Sequence, residues 1–143
     1  MDRLSSLGLL ASRVLLSGIF LYSGAGKLFA FAQTQAYMAK MGMHMTGLFL
    51  VLAILFELAG GLSVLLGYYP RLGAMALILF LVPTTLVFHR DFSVAGQAAH
   101  FAKNLAIMGG LFAIVGAGSG EFSLSGRRKT GDGKNRDILN NSD

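Results

Sequence analysis

Residues 46–69 read TGLFLVLAILFELAGGLSVLLGYY, an apolar run that contains a single charged side chain, Glu57. A run of this length suits a transmembrane helix, since about 20 apolar residues cross the hydrocarbon core of a bilayer. Glu57 stands near the middle of the run, where translocon scales give a charged side chain a cost of roughly 2.5–3.5 kcal/mol. The sequence therefore predicts a membrane-spanning helix whose one acidic residue needs a partner.

The composition of the whole chain also fits a membrane protein. Of its 143 residues, 54% are hydrophobic and 13% are charged, whereas an ordinary soluble domain has about 25% charged residues. This length allows one compact unit rather than two. The chain has no cysteine, which excludes disulfides, thiolate metal sites, iron–sulfur ligation and a dithiol redox step by the chain itself.

Four apolar stretches are long enough to span a membrane: Leu7–Phe31, Thr46–Tyr69, Leu72–Phe88 and Phe101–Gly118. They lack the alternating pattern of membrane barrel strands, so we expect helices. The segment Gln33–Met45 predicts a short helix lying in the membrane interface, with one apolar face formed by Tyr37, Met38, Met41 and Met45. The predicted fold is all-α, a four-helix transmembrane bundle with a short interfacial helix between the first two spans.

Small residues and turn residues refine this picture. Gly67 and Pro70 between the second and third stretches predict a tight hairpin, because glycine ends helices and proline suits a first turn. The pairs Gly60–Gly61 and Gly109–Gly110 predict faces where neighbouring helices approach closely. We expect residues 1–124 to form the transmembrane domain.

The formal charge of +5 includes a basic C-terminal tail, residues 125–143, that has little to bury and that we expect to be disordered and cytoplasmic. No aromatic residues interleave its basic ones, so we expect the lipid bilayer as partner and no nucleic acid.

The distribution of basic residues also indicates the orientation of the chain in the membrane. Arg3, Arg13, Arg71 and residues 127–129 fall on one side of the four spans, whereas Lys27, Lys40, Arg90 and Lys103 fall on the other. This distribution favours both termini in the cytoplasm.

Two basic residues of the first span are candidate partners for Glu57. Measured from the centre of that span, Arg13 is displaced by about 7 Å and Lys27 by about 13 Å along the helix axis. We therefore expect Arg13 to form the ion pair with Glu57. Such a pair either handles a proton or ligand, or it fixes how the two helices dock.

A second polar group is expected at the opposite ends of the helices from the hairpin. Lys27, His89, Lys103 and Asn104 fall at similar depths in an antiparallel bundle. Together they would suit an anion or the polar head of a quinone. Lysines and histidines also stand at membrane interfaces for ordinary structural reasons. We predict no metal site, although thioethers and imidazole between Met38 and Met45 leave Cu(I) binding as an alternative to an apolar interfacial face.

The ordered set of these residues resembles the DoxX family. The resemblance runs from about Leu7 to Leu124 and rests on Arg13, Gly24-x-x-Lys27, Tyr37-Met38, Glu57, Gly67, Arg71, His89, Lys103-Asn104 and Gly120-x-x-Ser123-Leu124. It implies a multi-pass protein of the bacterial inner membrane. Some members are linked to membrane redox systems that use quinones or respond to thiol stress.

The resulting hypothesis is a membrane subunit of a redox-linked system, with a polar intramembrane pocket formed by Arg13, Lys27, Glu57, His89, Lys103 and Asn104. Quinone is the candidate cofactor, a redox subunit the candidate partner, and we do not expect the chain alone to be an enzyme. Two alternatives stay open. One is a membrane scaffold or assembly factor, and the other is a small transporter, which four helices without an inverted repeat would form only as a homo-oligomer.

Overall fold

The computed structural model describes residues 3–89, 91–118 and 120–124, and these form an all-helical bundle. The helices are α1 (Arg3–Phe29), α2 (Phe31–Lys40), α3 (Thr46–Leu66), α4 (Pro70–Phe88) and α5 (Gln97–Ala117). α1, α3, α4 and α5 are long and apolar enough to cross a membrane. The predicted fold class is confirmed, and the predicted tail lies outside the described residues.

The four long helices form an antiparallel ring. α1 packs on α3, α3 on α4 and α4 on α5, while α5 makes a smaller contact with α1. The buried residues of α1 recur every three, four or seven positions, which places them on a single helical face, and they are Ser6, Arg13, Ser17, Phe20 and Gly24. α3 contacts three other helices, α1, α2 and α4. Each span also exposes large apolar side chains on its outer surface, as lipid contact requires.

The hairpin between α3 and α4 forms as predicted. Gly67 adopts a left-handed conformation with φ of 64°, which ends α3, and Pro70 stands in the first turn of α4. The Ser63 hydroxyl donates to the carbonyl oxygens of Tyr68 at 2.7 Å and Tyr69 at 3.1 Å. We call this end of the bundle the hairpin end, and the opposite end, where α2 lies, the α2 end.

Glycines allow neighbouring helices of the bundle to approach closely. A Cβ atom on Gly73 would lie 3.1 Å from the Gly60 carbonyl oxygen, and one on Gly60 would lie 2.7 Å from the Leu77 side chain. Gly61 faces α1 and Gly110 also contacts α1, through Leu16. These contacts confirm the predicted small faces except at Gly109, where a Cβ would meet nothing within 4 Å.

The short helix differs from its prediction. It spans Phe31–Lys40, so Met41 and Met45 follow it and do not share a helical face with Tyr37. Met38 is 5% exposed and packs inward against Leu50 and Ile54 of α3. Gly42, with φ of 79°, continues the turn that ends the helix. The helix therefore covers part of the bundle through Met38, whereas the prediction placed Met38 on one interfacial face with Tyr37, Met41 and Met45.

Candidate functional site

Glu57 forms an ion pair with Lys27 in the interior of the bundle. The Lys27 Nζ lies 2.9 Å from both carboxylate oxygens of Glu57 and donates to the Ser23 hydroxyl at 2.6 Å. Ser23 in turn donates to Glu57 Oε1 at 3.0 Å. Glu57 is 4% exposed, and the Lys27 side chain is 25% exposed. We call these three residues the Lys27–Glu57–Ser23 triad, and its charges sum to zero.

The predicted pair between Arg13 and Glu57 is wrong, and the register of α1 against α3 explains why. A Cβ atom on Gly24 would lie 3.2 Å from the Cβ of Glu57, so this part of α1 faces the acid. Lys27 is less than one helical turn from Gly24, whereas Arg13 is about 16 Å away along the axis. The estimate from the sequence assumed that the centre of α1 lies level with Glu57. In the structure, the part of α1 around Gly24 lies there instead.

Arg13 instead caps the C-terminus of α3 at the hairpin end. Its guanidinium donates to the carbonyl oxygens of Val64 at 2.8 Å, Leu65 at 2.5 Å and Phe122 at 2.8 Å. The last four carbonyls of a helix have no intrahelical partner, and the negative end of the helix dipole favours a cation there. Arg13 is 1% exposed, so it is a buried structural residue that also holds the segment after α5.

A cavity of about 690 Å³ lies between α2, α3 and α4 and borders the triad. Lys27 belongs to its lining, as does His89 from the end of α4. Most other lining residues are apolar, and several are well exposed on the outer surface of the bundle, including Phe49, Leu52, Leu79 and Val87. The cavity thus combines an apolar wall with a few polar groups, which is typical of small-molecule sites.

Two aromatic pairs form part of the cavity wall. Phe56 of α3 stacks on Phe80 of α4 with ring centroids 6.4 Å apart. Tyr37 of α2 stacks on Phe88 of α4 at 5.9 Å, which ties the short helix to the bundle. Flat aromatic surfaces of this kind offer favourable contacts to a planar ring.

His89 joins the cavity to the start of α5. Its Nδ1 lies 2.7 Å from Oε1 of Gln97, and its ring stacks on that of His100 with centroids 5.1 Å apart. These contacts fix the position of the imidazole at the edge of the cavity.

The other members of the predicted polar group lie elsewhere. Asn104 is buried between α4 and α5, where its Nδ2 donates to the Thr85 hydroxyl at 2.9 Å. Lys103 is exposed on α5 and does not line the cavity. Of the six predicted ligand-binding residues, Lys27 and His89 line the cavity and Glu57 holds Lys27. Arg13, Lys103 and Asn104 do not belong to this site.

Sequence reasoning missed several residues that the site uses. Ser23 precedes Lys27 by four positions, a spacing that puts both on one helical face and could have identified it. The aromatic pairs and Gln97 carried no such signal, because they come from different helices and meet through packing alone.

Comparison with known proteins identifies the relatives of the chain. The sequence profile of the DoxX family matches residues 8–90, which include most of α1 and all of α2, α3 and α4. Inner membrane protein YqjF of Escherichia coli K12 is 36% identical over 124 residues, which are 87% of this chain and 94% of YqjF. Inner membrane protein YphA of the same organism is 29% identical over 124 residues, or 83% of this chain and 89% of YphA. No solved structure matches the chain.

These relatives share the length of the chain and are inner-membrane proteins, in agreement with the four candidate spans. The chain is a multi-pass inner-membrane protein, and it belongs to the DoxX family.

Proposed function

We propose that this protein is a membrane subunit of a redox-linked system, and that it binds a quinone or a quinone-like ring in the cavity between α2, α3 and α4. The observation that carries the proposal is the cavity itself, which sets the Lys27 ammonium beside an apolar, aromatic wall. Its volume of about 690 Å³ falls within the range of about 300–1,000 Å³ that small-molecule pockets occupy. A ligand carried by the lipid phase could reach such a cavity from the side of the bundle.

The charge balance of the triad favours a neutral head group over a small anion. Glu57 already neutralises Lys27 through two contacts of 2.9 Å. An anion would therefore gain little from the ammonium, and it would lose its hydration on entering an apolar cavity. A quinone oxygen needs only one N–H donor, which Lys27 supplies by exchanging its bond to Ser23.

Electron transfer in this proposal belongs to the ligand and to a partner subunit. The chain has no cysteine, so it supplies no thiol chemistry of its own. Its described residues would bind the ring, orient one oxygen toward Lys27 and exclude water. A redox subunit would exchange electrons with the bound ligand.

The test is to fill the cavity without disturbing the rest of the bundle. Ala53→Phe adds a ring inside the cavity lining, whereas Ala113→Phe adds the same ring on the exposed face of α5. We expect Ala53→Phe to weaken binding of a decyl-tailed benzoquinone to full-length protein in lipid nanodiscs by at least about tenfold, since the ring removes the binding volume. Ala113→Phe should bind like the wild type.

Equal binding by the two variants would refute the cavity as the site. No binding by the wild type would refute the proposed function and would favour a scaffold that acts through its surface. Thermal unfolding of both variants shows whether the added ring is tolerated, because overpacking costs roughly 1–3 kcal/mol.

We also infer that both termini face the cytoplasm, because Arg3, Arg13 and Arg71 cluster at the hairpin end. The cysteine-free chain allows a direct test. A single cysteine at Ser93, in the loop between α4 and α5, should react with a membrane-impermeant maleimide in intact cells with a permeabilised outer membrane. A cysteine at Tyr68 in the hairpin should react only after the inner membrane is disrupted. The reverse labelling pattern would show that both termini face away from the cytoplasm.

A further inference from the structure

Gln97 contacts the Nδ1 nitrogen of His89 through its side-chain amide oxygen. The amide Oε1 of Gln97 accepts hydrogen bonds and cannot donate them, and it lies 2.7 Å from His89 Nδ1. This contact favours the neutral tautomer of His89 that carries its proton on Nδ1, which leaves Nε2 with an unshared electron pair. Gln97 does not line the cavity, whereas His89 does.

The remaining contacts of His89 limit what else its ring can do. The ring stacks on His100 with centroids 5.1 Å apart and an angle of 25° between the planes, so one of its faces is covered. With Nδ1 bonded to Gln97 and one face against His100, the Nε2 edge is the polar part that remains for a ligand in the cavity.

Two of the polar residues that line the cavity, Lys27 and His89, thus have opposite hydrogen-bonding character. Lys27 offers N–H donors, and the neutral His89 offers an acceptor. A quinone has oxygen atoms that only accept, so one placed near Nε2 would meet a lone pair. A hydroquinone presents an O–H group that can donate to Nε2 while its second oxygen accepts from Lys27.

We propose that the cavity selects the hydroxyl-bearing, reduced form of a quinone-like ring over the oxidised form, and that Gln97 is the positioning residue that sets this preference through His89. The inference rests on the proposed function and adds the redox state of the ligand to it. It also assigns a role to Gln97 on α5, which does not itself touch the ligand.

The experiment compares both forms of one ligand on the full chain in nanodiscs. A decyl-tailed benzoquinone and its hydroquinone are titrated under anaerobic conditions. For the wild type we expect the hydroquinone to bind about three- to tenfold more tightly, the equivalent of one neutral hydrogen bond. In Gln97→Leu the affinities for the two forms should differ by less than about twofold, because the tautomer of His89 is no longer fixed.

Two further variants separate this role from a general effect on folding. Gln97→Glu also accepts the Nδ1 proton, but its carboxylate favours the imidazolium, in which Nε2 donates, so the preference should shift toward the quinone. Gln33→Leu makes a similar change on the exposed face of α2, away from the cavity, and should leave both affinities unchanged.

A ligand-independent measurement tests the tautomer directly. The ¹⁵N chemical shifts of the His89 ring in the wild type should place the proton on Nδ1, and Gln97→Leu should shift them toward a mixture. Binding of both forms with equal affinity, or a proton on Nε2 in the wild type, would overturn the role of Gln97 and leave the proposed function intact. Failure of both forms to bind the wild type would overturn both.

Discussion

At the scale of single residues, a carboxylate is tolerated in the apolar α3 because a neighbouring helix neutralises it. Lys27 Nζ contacts both oxygens of Glu57, and Ser23 completes the hydrogen bonding. The two charged groups are buried to different extents, since Glu57 is 4% exposed and the Lys27 side chain 25%. Removing one partner should therefore not cost the same as removing the other.

Lys27→Met should destabilise the protein more than Glu57→Leu does. The first change leaves a deeply buried acid without its cation, for which we expect a cost of about 3 kcal/mol. The second leaves an ammonium that can reach the cavity and solvent. The double variant Lys27→Met/Glu57→Leu should recover most of the loss, because an apolar pair often replaces a buried ion pair at little cost. Unfolding in mixed micelles measures all three.

Lys103→Met provides the matched control, since Lys103 is exposed on α5. It should change the free energy of unfolding by less than about 0.5 kcal/mol. Additive effects of the two single changes in the double variant would mean that Lys27 and Glu57 are not coupled.

At the scale of helices, α3 is the element around which the others are arranged. α1 and α4 pack on either side of it at glycines, and Arg13 of α1 caps its C-terminus. Arg71 of α4 makes a similar but more exposed contact with α5, donating to the Gly116 carbonyl at 3.2 Å. Helices in lipid associate through close packing and polar contacts, so these glycines and arginines contribute much of the cohesion of the bundle.

Arg13→Lys should lower the free energy of unfolding by about 2–3 kcal/mol, although the charge is kept. A guanidinium reaches three carbonyl oxygens on two segments at once, whereas an ammonium on a flexible stem cannot reproduce that planar arrangement. Arg3→Lys, on the exposed start of the same helix, is the control and should have little effect. A neutral result for Arg13→Lys would show that charge alone maintains the cap.

Gly73→Ala should cost about 1–3 kcal/mol, because its Cβ would lie 2.5 Å from the Ser63 hydroxyl and 3.1 Å from the Gly60 carbonyl oxygen. Gly109→Ala adds the same atom where nothing lies within 4 Å, so it should be neutral or slightly stabilising. Thermal unfolding of the two variants in one detergent makes the comparison. Equal losses would contradict the close approach of α3 and α4.

At the scale of the whole molecule, the register of α1 against α3 determines which residues form the site. Gly24 faces Glu57, and Gly61 faces Phe20 and Leu21. This register brings Lys27 to the acid and leaves Arg13 at the hairpin end. α2 then covers the side of the bundle where Lys27 emerges, which creates the cavity.

A pair of introduced cysteines can verify the register. A Cβ on Gly61 would lie 3.6 Å from the Cβ of Phe20, within the range of about 3.5–4.5 Å that disulfides require. Phe20→Cys/Gly61→Cys should therefore crosslink on mild oxidation, and the absence of native cysteines keeps the readout on a non-reducing gel clear. Leu9→Cys/Gly61→Cys matches a register that sets Arg13 level with Glu57, and it should stay reduced. Crosslinking of the second pair alone would contradict the observed register and support the one in which Arg13 lies level with Glu57.

The sequence by itself determined the fold class, the approximate limits of the four spans and the hairpin at Gly67 and Pro70. It also identified Glu57 as the residue that needs a partner. These features follow from the length of apolar runs and from local backbone preferences, which the chain expresses residue by residue. The family resemblance was likewise visible in the order of the polar residues along the chain.

Only the tertiary structure decided that Lys27 and not Arg13 neutralises Glu57. It also decided that Gln97 holds His89 and that Asn104 belongs to the contact between α4 and α5. The physical reason is that all four spans are apolar along most of their length, so hydropathy gives little information about axial register or rotation. In lipid these are fixed by where glycines allow close contact and where polar groups find partners, and both depend on residues far apart in the chain.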